Sequence, residues 1–192
     1  MTEFRNTAQP DRDWWEALWP DPRDALEGLG LGECGSLVDV CCGDGHFTAP
    51  AAELIEGPIY ALDLDGELLA ALEDRVERPV TTIEGDAMAL PDLLPERVEC
   101  ALLANTLHGI PEKTAFAEAV TAVLDPDGRF VVINWIDAPP SETPVLDEPR
   151  GPPEELRLTP EETIAAVEPA GFQARETTSV SPHHYAVVFD RT

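Results

Sequence analysis

The stretch 37-LVDVCCGDGHFT-48 sets an apolar run, an aspartate, two adjacent cysteines and two glycines ahead of a helix-like segment. Its order is strand, tight turn, helix. Leu37, Val38 and Val40 favour an extended chain. Gly43 and Gly45 stand where a missing Cβ lets the backbone turn sharply and lets a ligand approach main-chain N–H groups. A dinucleotide-binding turn would read G-x-G-x-x-G at this point. Thr48 takes the place of the third glycine, and Asp39 lies four residues before Gly43. A carboxylate aimed at the turn repels a pyrophosphate and suits a cation.

Working outward, short β-type runs alternate with helical ones. Strands are predicted over 36–42, 58–64, 80–85, 99–105 and 129–136, with amphipathic crossover helices over 47–55, 67–76 and 114–124. Pro50 is tolerable if it lies in the first turn of its helix. This alternation is that of an α/β domain, a parallel sheet covered by helices on both faces. Farther on, Thr159, Pro160 and Glu162 carry the signals of a capped helix start, and Gly171 ends that helix. Two closing runs on either side of Ser181-Pro182 are too near for a crossover and predict a hairpin, giving seven strands with the last antiparallel.

Two segments stand outside this rhythm. Residues 137–157, DAPPSETPVLDEPRGPPEELR, hold six of the nineteen prolines and have no helical period, so they read as a long surface loop, either a lid or an extended connector. Residues 11–30, DRDWWEALWPDPRDALEGLG, form a separate helical element with Trp14, Trp15 and Trp19, which either pack on the sheet or cap a ligand. The expected organisation is an N-terminal helical cap over 1–30 and a single domain over 31–192.

The chain has 38 acidic and 12 basic residues, a net charge of −26, and its one lysine is Lys113. Self-repulsion on this scale is relieved by concentrated counterions, since the Debye length is about 3 Å at 1 M. A high-salt cytoplasm, and thus a halophilic source, fits best. No basic cluster offers a surface for a nucleic-acid backbone. No run reaches the ~20 apolar residues of a membrane span and the start lacks a leader pattern, so a soluble cytoplasmic chain is expected. Cys34, Cys41, Cys42 and Cys100 contain no C-x-x-C pair, and no structural metal is expected.

The stretch 37–48 resembles the first motif, D-x-G-x-G-x-G, of the class I methyltransferases that use S-adenosylmethionine, with Asp39, Gly43 and Gly45 in register. That cofactor has an ammonium and a sulfonium and no phosphate, which an acidic glycine-rich loop accommodates. The resemblance continues along the chain. It implies that Asp63, at the end of the second strand, accepts hydrogen bonds from the ribose hydroxyls and is followed by apolar Leu64. It implies that Asp86 takes the adenine amino group while Ala87 offers a backbone N–H to the ring, and that Asn105 stands near the methionine end. The implied fold is a Rossmann-like, doubly wound seven-stranded sheet in the order 3-2-1-4-5-7-6, last strand antiparallel.

Where the family carries its first glycine this chain has Cys41, a larger side chain beside the methionine portion of the cofactor. Adjacent cysteines on a strand point to opposite faces, so Cys41 and Cys42 read as small reduced residues and not as a thiol centre. The resemblance implies methyl transfer; the small accessory segments, the tryptophan-rich start and the proline-rich loop, favour a small-molecule acceptor, and His108, after the fourth strand, is the candidate base. His46 reads as part of the turn, and His183 and His184 as hairpin residues. A non-catalytic cofactor-binding module and a nicotinamide oxidoreductase are the alternative classes. The missing third glycine argues against the second.

Overall fold

The structure is a computed structural model and describes residues 4–5 and 10–192. Its centre is a seven-stranded sheet. Strands β1 (Leu37–Val40), β2 (Ile59–Asp63), β3 (Thr81–Glu84), β4 (Val98–Ala104) and β5 (Leu124–Trp135) run parallel, and β8 (Phe172–Ser181) and β9 (His184–Arg191) close the sheet. A short pair, β6 (Pro144–Val145) and β7 (Glu148–Pro149), stands apart. The order across the main sheet is β3-β2-β1-β4-β5-β9-β8, and β9 is antiparallel to both its neighbours. This is the order expected from the sequence once the small pair is set aside. β1 pairs with β2 on one side and β4 on the other, so the winding reverses beside it, and a crevice is left at the C-terminal strand ends.

The sheet's periodicity places its residues. β1 is buried throughout because helices cover both faces, whereas β3, at the edge, is partly exposed. One face packs Val38, Leu62, Leu103, Val132 and Phe189 against α5 (Leu90–Leu93), α6 (Lys113–Val123) and α7 (Pro160–Val167), with Phe116 and Val120 among the contacts. The other packs Leu37, Ile59, Leu102 and Ile133 against α1 (Arg12–Leu18), α2 (Pro22–Gly28) and α3 (Thr48–Leu54). α4 (Gly66–Glu73) lies on β2 and β3. At the start of α7, Thr159 accepts the Glu162 N–H and the Glu162 carboxylate accepts the Thr159 N–H, the reciprocal cap expected from the sequence.

Three expectations are corrected. The first strand does not run through the cysteines but ends at Val40; Cys41 adopts φ +59° and Cys42 N–H bonds the Leu62 carbonyl, so the pair belongs to the turn and the opposite-face argument does not apply. The fifth strand starts at Leu124, earlier than predicted. Segment 137–157 is not a simple surface loop: it contains the β6–β7 hairpin, turned through Leu146 and Asp147 at positive φ, and buries Thr143, Val145, Pro152 and Arg157. Of the expected 1–30 cap, residues 1–3 and 6–9 lie outside the described residues. α1 and α2 are continuous with the core on their face of the sheet.

Cys34 and Cys100 form a disulfide across 66 residues, with Cα atoms 6.1 Å apart. It joins the turn before β1 to β4. Among the described residues no helix is long and apolar enough to cross a membrane, and no cluster of His, Cys, Asp or Glu is arranged to hold a metal ion.

Candidate active site

A cavity of about 1550 Å³ opens along the C-terminal ends of β1, β2, β4 and β5. Asp39, Cys41, Gly43, Asp63, Leu64, Asp86, Ala87 and Asn105, all singled out from the sequence, line it. They come together because each sits at or just past a strand end, where parallel strands deliver their loops to one edge.

Asp39 is the third residue of β1 and is buried, and Thr48 Oγ1 donates to its Oδ2 at 2.6 Å. Burial pushes its carboxyl up to about 7, the Thr48 bond opposes this, and the Asp63 charge adds to it. Asp63, the last residue of β2, accepts the Gly43 N–H on Oδ2 at 2.8 Å and the Asp65 N–H on Oδ1 at 3.1 Å. It thereby ties the loop after β1 to the loop after β2. Asp86 caps the short turn at Ala87–Ala89 by accepting the Met88 N–H at 2.9 Å. Leu64 and Met88 present large exposed apolar side chains to the same cavity.

Asn105 adopts φ +58°, a backbone that costs a non-glycine residue about 1 kcal/mol or more. Its N–H donates to the Ile133 carbonyl at 2.8 Å, while both polar atoms of its side chain are buried without a partner among the described residues. Such a group is stable only when something else meets it. Cys41 takes the left-handed conformation that glycine would adopt without strain. Burial, reinforced by Asp63, Asp39 and Asp86, pushes its thiol up; burial, Asp39 and Asp63 do the same to Cys42, so neither is a ready nucleophile. Gly45 does not line the cavity. A Cβ there would lie 2.1 Å from Leu72 Cδ1, so this glycine lets the turn pack on α4.

The rest of the wall is aromatic. Trp14 and Trp15 line the cavity; Trp19 does not, and packs on Phe47 and His184 at ring separations of 5.0 and 4.8 Å. His108 is buried in the wall, and burial, then Lys113 and Arg157, push it down to about 4. His46 lies in the wall as well, and not merely in the turn. Its ring is 5.5 Å from Trp15 and 5.2 Å from Phe47, its Nε2 is buried without a partner among the described residues, and burial first, with Arg75 next, pushes it down to about 4. Its place directly after Gly45 was the available signal, since a residue on that turn must face either the helix or the crevice. Arg150 and Pro152, from the proline-rich segment, also reach the wall, and nothing in their local sequence marks them.

A family model described as "Methyltransferase domain" matches residues 38–132, which span β1 to β5. Demethylmenaquinone methyltransferase of Lactococcus lactis subsp. lactis is 28% identical over 127 residues, 63% of this chain and 48% of the relative. The enzyme of the same name from Anoxybacillus flavithermus is 25% identical over 118 residues, 58% of this chain and 49% of the relative. The chain spans about half the length of these curated relatives. A crystal structure of a SAM dependent methyltransferase from Aquifex aeolicus superposes with a TM-score of 0.76 at 21% identity, covering 95% of this chain and 94% of that one. The fold is thus the Rossmann-like fold of the class I S-adenosylmethionine-dependent methyltransferases, and the methyltransferase-domain match falls on the strands that build the cavity.

Proposed function

We propose that the protein is an enzyme that transfers a methyl group from S-adenosylmethionine to a small-molecule acceptor. The observation that carries this is the convergence of Asp39, Asp63, Asp86 and Asn105 on one cavity, with the Asn105 side chain buried and unpartnered. The donor set fits the cofactor. Its strand-end groups are acids and amides suited to an ammonium, hydroxyls and an amino group, and none of them is a cation that would hold a phosphate. Asp63 takes the ribose hydroxyls, Asp86 and the Ala87 N–H take the adenine between Leu64 and Met88, and Asp39 and Asn105 serve the methionine end. When bound, the cofactor supplies a methyl group on a sulfonium, already activated for displacement.

What the chain itself must do is position the acceptor and exclude water. Trp14 and Trp15, from the N-terminal cap, cover the acceptor side; Trp19 supports them from beneath. His108 is neutral at pH 7 and accepts the acceptor's proton where the methylated atom carries one. The relatives named as demethylmenaquinone methyltransferases support a small-molecule acceptor here.

Calorimetry with S-adenosylmethionine on wild type and Asp63→Ala tests the reading. Binding to the wild type with at least a tenfold loss in the variant is expected. No binding to the wild type sinks the proposal, and binding without transfer to any acceptor in a metabolite extract reduces the protein to a cofactor-binding module.

We also read the −26 net charge as an adaptation to a salty cytoplasm. Ion pairs such as Arg12–Glu16 and Arg23–Glu53 are exposed, and 38 acids against 12 bases leave most carboxylates to be balanced by ions from solution. The melting midpoint is expected to rise between dilute buffer and 2 M KCl. A flat or falling midpoint overturns this reading.

A further inference from the structure

We infer that the acceptor is an aromatic carboxylate, whose ring lies along the tryptophan wall and whose anionic group is received by Arg150. The inference rests on the methyl-transfer reading of the cavity and names the substrate class for it. The wall runs as a chain of touching rings: Trp135 to Trp14 at 6.5 Å, Trp14 to Trp15 at 5.5 Å, Trp15 to His46 at 5.5 Å. Such a surface selects flat apolar molecules, because offset and edge-on ring contacts add to the burial of area.

The electrostatics are less expected. The cavity is lined by Asp11, Asp39, Asp63, Asp65, Asp86 and Glu112, a field that repels anions. Among the described lining residues Arg150 is the one permanent cation. Its guanidinium lies 5.1 Å from the centre of the Trp14 ring, and its Nε is buried without a partner among the described residues. Its Nη2 meets the Glu148 carboxylate at 2.8 Å, but Glu148 is largely exposed, and a surface pair of this kind contributes little. A guanidinium set against an aromatic face and left with an unmet buried N–H is prepared for a planar acid, which a fork of N–H donors meets in two parallel bonds.

The backbone around it is held in place. Arg157 is buried, and among the described residues it hydrogen-bonds to no carboxylate: Nε donates to the Pro152 carbonyl at 3.0 Å, and Nη2 to the Arg150 carbonyl at 2.9 Å and to Thr143 Oγ1 at 3.0 Å. The Thr143 hydroxyl in turn donates to the Arg150 carbonyl at 2.8 Å. Gly151, at φ +91°, passes where a Cβ would lie 2.8 Å from both the Trp135 ring and Arg157 Nη2. One arginine thus fixes the segment that presents the other.

The test titrates 2-naphthoate and its uncharged counterpart 2-naphthamide by calorimetry into protein saturated with S-adenosylhomocysteine, using wild type, Arg150→Met and Arg150→Lys. Wild type is expected to bind the acid at least tenfold more tightly than the amide. R150M is expected to bind both alike while keeping its affinity for the amide, and R150K, a point charge without the fork, to fall between. Equal binding of the two probes by the wild type, binding of neither, or an undiminished preference in both variants overturns the inference. Should R150M fail to fold, R150K and the wild-type preference decide. S-adenosylhomocysteine is titrated separately. Its failure to bind sinks the methyl-transfer reading, whereas the probe comparison, repeated without it, still reports on Arg150.

Discussion

Thr48 Oγ1 lies 2.6 Å from Asp39 Oδ2, joining the first turn of α3 to β1 through a bond with no access to solvent. In the sequence, Thr48 was the residue that spoiled a dinucleotide turn; in the fold it is the donor that makes a buried carboxylate tolerable. The carboxyl still titrates near 7, above its ordinary 3.8. A raised folded-state value means the folded protein holds a proton that the unfolded chain has released, so this group's stability is present below pH 4 and is lost as pH rises through 7. A displacement of this size corresponds to on the order of 4 kcal/mol. Asp39→Asn, which keeps an acceptor for Thr48, is expected to melt higher than wild type at pH 8 and to match it near pH 4, while losing affinity for S-adenosylmethionine. A gain equal at both pH values, read by thermal melts of the ligand-free protein, contradicts the assignment.

His46 titrates in the opposite sense. Its folded value, near 4, lies below the ordinary 6.5, so its contribution is complete above pH 6.5 and is lost as pH falls toward 4. His46→Phe removes the buried unpartnered Nε2 and the proton-linked loss together, and the new ring keeps the contact with Trp15. Urea midpoints are expected to be similar for the two proteins at pH 7.5, with the variant ahead by about 2 kcal/mol at pH 5. A variant that loses stability at both pH values would make His46 a packing residue first.

Asp39, Asp63 and Asp86 are legible in the sequence through the motifs that resemble those of the methyltransferases, and they meet in the fold because parallel strands deliver their ends to one edge. The fold is legible in the alternation of short β-type runs with helical periods, since strands buried on both faces, such as β1 and residues 100–103 of β4, are mostly apolar. Arg150 is not legible. It reaches the wall only because Arg157, Thr143 and Gly151 fold the proline-rich segment inward, and those contacts join residues whose spacing follows no period. Gly45 was legible as a turn residue, but its partner Leu72 lies 27 positions away, so its role as a packing residue was not.

The Cys34–Cys100 bridge escaped the sequence reading because pairing of two cysteines 66 residues apart depends on the β1–β4 register, where Leu37 lies opposite Cys100. Unfolded, unreduced protein is expected to titrate two thiols, those of Cys41 and Cys42, and reduced protein four. Closing a loop of this length restricts the unfolded chain by about 4 kcal/mol in the chain-entropy account. Cys34→Ala/Cys100→Ala should therefore melt well below wild type, without a change in affinity for S-adenosylmethionine, since neither residue lines the large cavity. Four free thiols in the unreduced protein would remove the bridge from the structure.

Arg157 makes the strongest demand on the fold. Its guanidinium is buried, 5.3 Å from the centre of the Trp135 ring, and burial pulls its pKa down even though Asp137 and Glu154 act in the other direction. Arg157→Met keeps much of the volume but takes the Nε donor from the Pro152 carbonyl, at about 1–3 kcal/mol for a buried group left unmet, and leaves the Arg150 carbonyl with the Thr143 hydroxyl alone. Arg157→Lys restores a charge but cannot span the Pro152, Arg150 and Thr143 oxygens in one plane. Both variants are expected to be less stable than wild type and to be cleaved faster by a protease within residues 137–157, with the rest of the chain protected. S-adenosylmethionine affinity should change little, because the strand-end acids keep their own hydrogen bonds. Binding of the aromatic probe should weaken with the loss of Arg150's support. Cleavage spread evenly along the chain would mean that Arg157 stabilises the domain as a whole and not the segment that carries Arg150.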